Sequence, residues 1–206
     1  MQAIREVILI YATDLSTLVP SALFNKEKLS EYLKFNAKIL PQDFIAYDEI
    51  TPHEIVNIHI PYININNYFF DLYGNFSYYH STTVLLKKLL DSEKYKTATT
   101  AYIVVFKKHF TLLILKNGKP LLVNNYFYET AEDFIYYILF TFEQLEINTN
   151  DISTKVLGAI DDEDAVFTIL YKYIRNIAFY NDPLTATYKT DENDEPHKNV
   201  LLKHFI

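Results

Sequence analysis

Three aspartates, Asp161, Asp162 and Asp164, are the residues of this chain best placed by type and spacing to do chemistry. They follow an apolar run that reads as a strand over 154–160 and precede or open a helical pattern over 163–175. Carboxylates just past the C-terminal end of a strand stand where α/β proteins bind ligands and metals. The same residue types also cap a helix and favour its dipole from the first turn, and that structural reading is the stronger. The six histidines, His53, His59, His80, His109, His197 and His204, are scattered and form no spaced pair such as a His-Glu-x-x-His run. His59 lies in a strand-like run and reads as a packing residue rather than a ligand. Ser81 beside His80 reads as a helix cap rather than a nucleophile, since no Gly-x-Ser-x-Gly elbow surrounds it. With no cysteine, disulfides and thiolate metal sites are excluded. Three glycines leave little material for a loop that cradles phosphates. No catalytic residue and no metal ligand is assigned.

The elements that would carry these residues are clearest in the second half. Residues 101–107, 110–116 and 120–128 read as a three-strand meander, with Asn117-Gly118 as a strong hairpin signal. A helix over 131–146 follows, opened by Thr130-Ala131-Glu132-Asp133, which resembles a capping box with Asp in the Glu position. That helix is apolar nearly all round, as expected of one buried between layers or between a sheet and a partner. Strand 154–160, helix 163–175 and strand 176–180 complete an α/β pattern with an antiparallel edge and a parallel interior. In the first half, 7–11 is a continuous apolar run suited to a strand covered on both faces, and 17–20 is a short extended piece. Residues 20–24 fit one helical turn. Asn25 caps a helix from 26 to about 37, and 55–60 is a strand ended by Pro61. A short helix over 68–73 ends at Gly74, strand 76–80 follows, and Ser81-Thr82 caps a helix over 83–90. The polar stretch 93–100 reads as a linker, giving a first lobe over 1–96 and a second over 97–206. Residues 181–199, with the acidic run Asp191 to Glu195, read as a solvated loop, and Val200 to Ile206 as a last strand.

Composition bounds the rest. The chain has 206 residues, half of them apolar and 22% charged, which is a globular profile. Eighteen Tyr and fifteen Phe, with no Trp, give an aromatic supply that can fill cores and still leave rings at the surface. A net charge of −7 repels a phosphate backbone, so no nucleic-acid partner is expected. No apolar run is long enough for a membrane span, and the first residues do not form a signal peptide, so the expectation is cytoplasmic.

Several runs carry a resemblance: Ser16-Thr17-Leu18-Val19-Pro20-Ser21-Ala22-Leu23-Phe24, Glu31-Tyr32-Leu33-Lys34-Phe35-Asn36, Asp43-Phe44-Ile45-Ala46-Tyr47-Asp48, Ile60-Pro61-Tyr62-Ile63-Asn64-Ile65-Asn66-Asn67 and Glu132-Asp133-Phe134-Ile135-Tyr136-Tyr137. From about Val7 onward the chain resembles an uncharacterised bacterial domain-of-unknown-function family, typical of Bacteroidetes, whose fold is similar to actin-like ATPases. The resemblance implies an α/β fold of two ribonuclease-H-like lobes, mixed sheets with flanking helices. It also implies that the first lobe lacks its N-terminal strand meander and leaves an open sheet edge. Active proteins of that kind hold phosphate on an Asp-x-Gly turn between the first two strands of a lobe. The corresponding turn here, Lys107-Lys108-His109, has neither acid nor glycine. Adenosine contact would fall to glycines after a late strand, which leaves Gly158, with Asp161 and Asp162 beside it, as the candidate cofactor-binding residues. Close packing explains a single glycine there equally well. A ribonuclease-H-like nuclease would need an acid on the strand over 101–106, and there is none.

The expectation is therefore a non-catalytic actin-like module, a protein-interaction or scaffold unit that binds a protein partner or its own copy and needs no cofactor. The alternative is a divergent nucleotide-binding ATPase or kinase with an interlobe cleft, which would use ATP and Mg²⁺.

Overall fold

The computed structural model describes residues 4–181 and 197–201. Contacts divide the chain into two compact units, Met1–Leu89 and Leu90–Ile206.

In the first unit, β1 (Ile8–Tyr11) is the apolar run near the start. β2 (Ser16–Pro20) leads into a short 3-10 turn at Ser21–Leu23. Asn25 then accepts the Glu27 amide through its side chain, and the chain coils through Lys26–Lys28 into α1 (Leu29–Leu33). The Asn25 cap is where the sequence puts it, but the helix is shorter than the pattern suggests. β3 (Ala46–Ile50) and β4 (Ile55–His59) follow, then α2 (Ile63–Tyr73), β5 (Ser77–His80) and α3 (Ser81–Glu93). β2, β4 and β3 form an antiparallel sheet in that order, while β1 and β5 form a separate parallel pair. The three-stranded sheet is thus inserted between two strands that neighbour each other. Its core is Val19, Leu33, Val56, Ile58 and Ile60.

β3 is absent from the sequence expectations. Its inward positions are Ala46, Asp48 and Ile50, all buried, so a buried acid interrupts the apolar alternation that normally marks a strand. β1, expected to be covered on both faces, is half-buried along three of its four residues. α2 starts five residues earlier than the Asn66-Asn67 cap suggests, and Gly74 ends it at φ +72° as expected.

The second unit follows the expected order closely: β6 (Thr100–Val105), β7 (His109–Lys116), β8 (Lys119–Phe127), α4 (Ala131–Gln144), β9 (Ser153–Gly158), α5 (Ala165–Tyr173) and β10 (Asn176–Phe179). The sheet order is β10-β9-β6-β7-β8, with parallel pairs β10–β9 and β9–β6 and an antiparallel edge of β7 and β8. β6 is buried along its whole length, which accounts for its uninterrupted apolar run. Ile103, Val105, Phe110 and Leu112 meet Phe134, Ile138 and Phe142 of α4 and Leu170 of α5 in one core. The capping box is complete: Thr130 Oγ1 accepts the Asp133 amide and Asp133 Oδ2 accepts the Thr130 amide, both at 3.1 Å. Asn117 and Gly118 both have positive φ, the geometry of a tight two-residue hairpin turn. Val200 and Leu201 lie in a turn rather than the expected last strand. The rest of that segment and the acidic run lie outside the described residues.

At Gly158, β9 packs directly on the backbone of β6. A side-chain carbon there would stand 2.2 Å from the Val105 carbonyl oxygen, and φ is +99°. Gly158→Ala is therefore expected to cost about 2–4 kcal/mol, read as a lower midpoint in urea denaturation. An unchanged midpoint would mean that the strand end relaxes freely.

Candidate functional site

The residues picked out by sequence gather at the end of β9, where Asp161 and Asp164 meet. Asp164 is the N-cap residue of α5 by backbone geometry, yet its side chain does not cap that helix. Instead its Oδ2 accepts the Asp161 amide at 2.7 Å, closing the turn between strand and helix. Asp161 forms an ion pair with Lys198, and Asp162 points into solvent. The Gly158 amide donates to the His197 carbonyl at 2.9 Å, while His197 Nε2 lies 2.9 Å from the Ile160 carbonyl. The cavity beside them, about 190 Å³, is lined mainly by apolar groups including Val104, Leu157 and Val200. Sites for drug-sized ligands commonly run from about 300 Å³ upward. The turn from β6 to β7 is closed by Phe106 N–H donating to the His109 carbonyl, with the His109 ring stacked on Phe106 at 4.5 Å.

A denser polar cluster lies in the first unit. Asp48 of β3 is buried, and one oxygen, Oδ2, accepts from the His80 amide at 2.9 Å and the Thr83 hydroxyl at 2.7 Å. His59 Nε2 lies 3.3 Å from the same oxygen. Thr83 in turn accepts from the Asn57 side-chain amide at 2.9 Å. His80 Nδ1 lies 3.2 Å from the Thr82 amide, so that nitrogen is the unprotonated acceptor. Its Nε2 then carries the proton and donates to the Thr13 carbonyl at 3.0 Å. The imidazole thus caps α3, a role that sequence reading gave to Ser81-Thr82. The helix begins at Ser81, two residues earlier than expected. Asp48 was missed because a lone acid in a short segment has no spacing signal; its position opposite Asn57, next to His59, arises only from the β3–β4 register.

Asp48, His59 and His80 include the residue types of acid–base catalysis, but the arrangement is closed. Both His80 nitrogens are committed to backbone groups, and both imidazoles are fully buried. Among the described residues no group of three or more His, Cys, Asp or Glu side chains could hold a metal ion. What the cluster does chemically is hold an ionised carboxylate and a neutral imidazole at the start of a helix. Burial pushes the Asp48 carboxyl up, but hydrogen bonding and attraction from His59, the His80 amide and the Thr83 hydroxyl outweigh it and bring it below its ordinary value. Burial, then repulsion from His59, lowers His80 from 6.5 to about 4 against the smaller pull of Thr13 and Asp48.

The paired arrangement of β6 to β10 with α4 and α5 places the protein in the actin-like ATPase fold. A solved structure from Bacteroides thetaiotaomicron VPI-5482, of a protein with that fold and unknown function, superposes with a TM-score of 0.83 at 20% identity, covering 98% of this chain and 74% of the other. The PilM–PilN type IV pilus biogenesis complex matches with a TM-score of 0.58 at 11% identity, over 97% and 78%. The chain belongs to the family of proteins of unknown function DUF3822, whose model matches residues 1–177. No curated protein matches it in sequence. Among the described residues no helix is long and apolar enough to cross a membrane.

The cluster predicts an acid-sensitive fold. Between pH 6.5 and about 4 the unfolded chain binds a proton at His80 that the folded chain refuses. This group's contribution is therefore complete above 6.5 and is lost as pH falls, by about 3 kcal/mol in all. The Asp48 contribution is present above 3.8 and goes at still lower pH, as its folded value is passed. Urea denaturation across this range should show stability falling on acidification. His80→Asn, which keeps a helix-capping oxygen but does not titrate, should flatten the upper part of that slope. An unchanged slope in the variant would assign the acid sensitivity to another group.

Proposed function

We propose that the protein is a non-catalytic interaction module built on the actin-like ATPase fold, which docks another protein, or a second copy of itself, on the surface of α2. The observation that carries this reading is the helix itself. α2 has eleven residues and none is buried, yet Ile63, Ile65, Tyr68, Phe70, Leu72 and Tyr73 are each 36–61% exposed. The helix is nonetheless held in place: Tyr11 donates its hydroxyl to Asn66 at 2.6 Å, and Phe69 packs on Phe76 at 6.3 Å between ring centres. An apolar surface of this density on a positioned helix is what partner proteins cover. The parallel pair β1–β5 adds strand edges with no neighbour among the described residues. The PilM–PilN structure supports the reading to the extent that a chain of this fold occurs there in a protein complex. The commitment of Gly158 to Val105, and of Asp161 to Lys198, supports the non-catalytic half.

Two measurements test it. ATP with Mg²⁺ should leave the thermal midpoint of the protein unchanged; a clear upward shift, abolished in Asp161→Ala/Asp162→Ala, would overturn the reading in favour of a nucleotide-binding enzyme. Self-association in light scattering, or retention of a partner from the source cell, should fall at least tenfold in Tyr68→Ser/Phe70→Ser. A folded double variant that associates as before would remove α2 as the docking surface.

A further inference from the structure

A second surface, on the other unit, carries its own recognition chemistry. β8 is the terminal strand of the five-stranded sheet, so alternate amides and carbonyls along it face away from β7 with no strand beside them among the described residues. The first part of the strand is unsuited to pairing. Pro120 has no amide hydrogen, and the register shift opposite Ile114 and Leu115 inserts Leu121 as an unpaired residue. From Leu122 to Phe127 the pairing with β7 is regular, and this stretch is the usable edge.

Beside that edge runs a groove of about 400 Å³ between β8 and α4. Leu122 and Tyr126 line its strand side, and Tyr137, Phe140 and Leu145 its helix side. Its rim is aromatic: Tyr136 and Phe140 stack at 6.0 Å and 19°, and are 59% and 48% exposed. This is the other side of a helix whose opposite face, Phe134, Ile138 and Phe142, fills the core. The all-round apolar character seen in sequence is therefore spent on two surfaces, one of them uncovered among the described residues.

The segment that forms the groove carries charge of one sign, with lysines only where it joins its neighbours: Lys116 and Lys119 pair at the β7–β8 hairpin, and the Lys108 carbonyl accepts the Tyr128 amide. Between Lys119 and Lys155 the chain has no basic residue and six acidic ones, Glu129, Glu132, Asp133, Glu143, Glu146 and Asp151. Glu129, Glu132 and Asp133 lie at one end of α4, Glu143 and Glu146 at the other, and all five are exposed. An apolar middle framed by acids complements an apolar segment with basic ends. It disfavours the chain's own residues 182–196, which hold five acids and one lysine, and a second copy with its net charge of −7.

We propose that the β8–α4 groove binds an extended segment of a different protein, which adds as a strand to the Leu122–Phe127 edge, seats alternate apolar side chains in the groove and places Lys or Arg against the acidic ends. Main-chain hydrogen bonds would supply affinity, and the pocket with its flanking acids the selectivity. The surface is distinct from α2, so loss of the α2 reading leaves this one standing.

A phage-displayed library of random twelve-residue peptides, panned on the full chain, tests it. Enriched peptides should alternate apolar and polar residues, carry Lys or Arg near their ends, and protect amides of β8 from hydrogen exchange. Binding should fall at least tenfold in Tyr136→Ala/Phe140→Ala, whose side chains are exposed, and again in Glu129→Lys/Glu143→Lys. Circular dichroism should show both variants folded. No enrichment, enriched peptides with acidic ends, undiminished binding to either variant, or protection of α2 instead of β8 would each overturn the proposal. A dimer of the wild type that dissociates in Tyr136→Ala/Phe140→Ala would put a second copy in the groove and overturn it as well.

Discussion

One buried carboxylate fixes the geometry of the first unit. Asp48 ties its own strand to the backbone of β5, through the His80 amide, and to the first turn of α3, through Thr83. Since β3 and β5 belong to different sheets, this oxygen joins the inserted three-stranded sheet to the parallel pair. A carboxylate withdrawn from water stays ionised only where donors converge on it, and the start of a helix supplies donors and a favourable dipole together. His80 then completes the same turn by accepting the Thr82 amide, and it can do so only while neutral. The charge of one residue and the neutrality of the other are therefore parts of one arrangement. The Asp48 carboxylate, the His80 imidazole and the Thr83 hydroxyl of this cluster are thus engaged in holding elements together.

The second unit is held by shape rather than charge. β6 is buried on both faces, and at Val105 it approaches β9 so closely that only a glycine fits. That contact gives Gly158 a sufficient structural reason and removes the need for a ligand to explain it. Its buried carboxylate among the described residues, Glu93, follows the same rule as Asp48: Tyr102 donates to it at 2.5 Å and Lys96 at 2.6 Å. The tyrosine is correspondingly pushed above its ordinary value, by burial first and then by the bond to Glu93. In each unit, the buried acid is matched by donors already present in the chain.

The second unit was legible in sequence because its pattern is dominated by burial. Continuous apolar runs marked β6 and β7, Asn117-Gly118 marked their hairpin with β8, and Thr130 with Asp133 marked the start of α4. The first unit was less so, and for a definite reason. β3 buries an aspartate, so its period-two signal is broken at the position that matters most. The cap of α3 is a histidine, a residue type rarely read as a cap, with serine and threonine directly after it offering a more familiar assignment. The polar cluster itself was illegible because its members are separated by up to 35 positions and meet only through strand register. The aspartates near residue 161 were legible as a group, but their engagement with one another and with Lys198 depends on the path of the chain after 196.

The distribution of aromatic rings links these structural points to function. A chain with so many Tyr and Phe residues and no Trp could have placed them all inside, where Phe110, Phe134 and Phe142 do form a core. Instead α2 and the outer side of α4 expose rings, among which Tyr73 stacks on Phe69 and Tyr136 on Phe140. Ordering a ring in solvent brings no gain from burial, so a surface that keeps rings in place has already met part of the entropic cost of a later contact. The two surfaces differ in chemistry. α2 offers an apolar helix without a lysine or arginine along its length, while α4 adds a strand edge and a frame of acids. The exposed rings of this fold are therefore held on two surfaces of different chemistry, one a helix alone and the other a helix beside a strand edge.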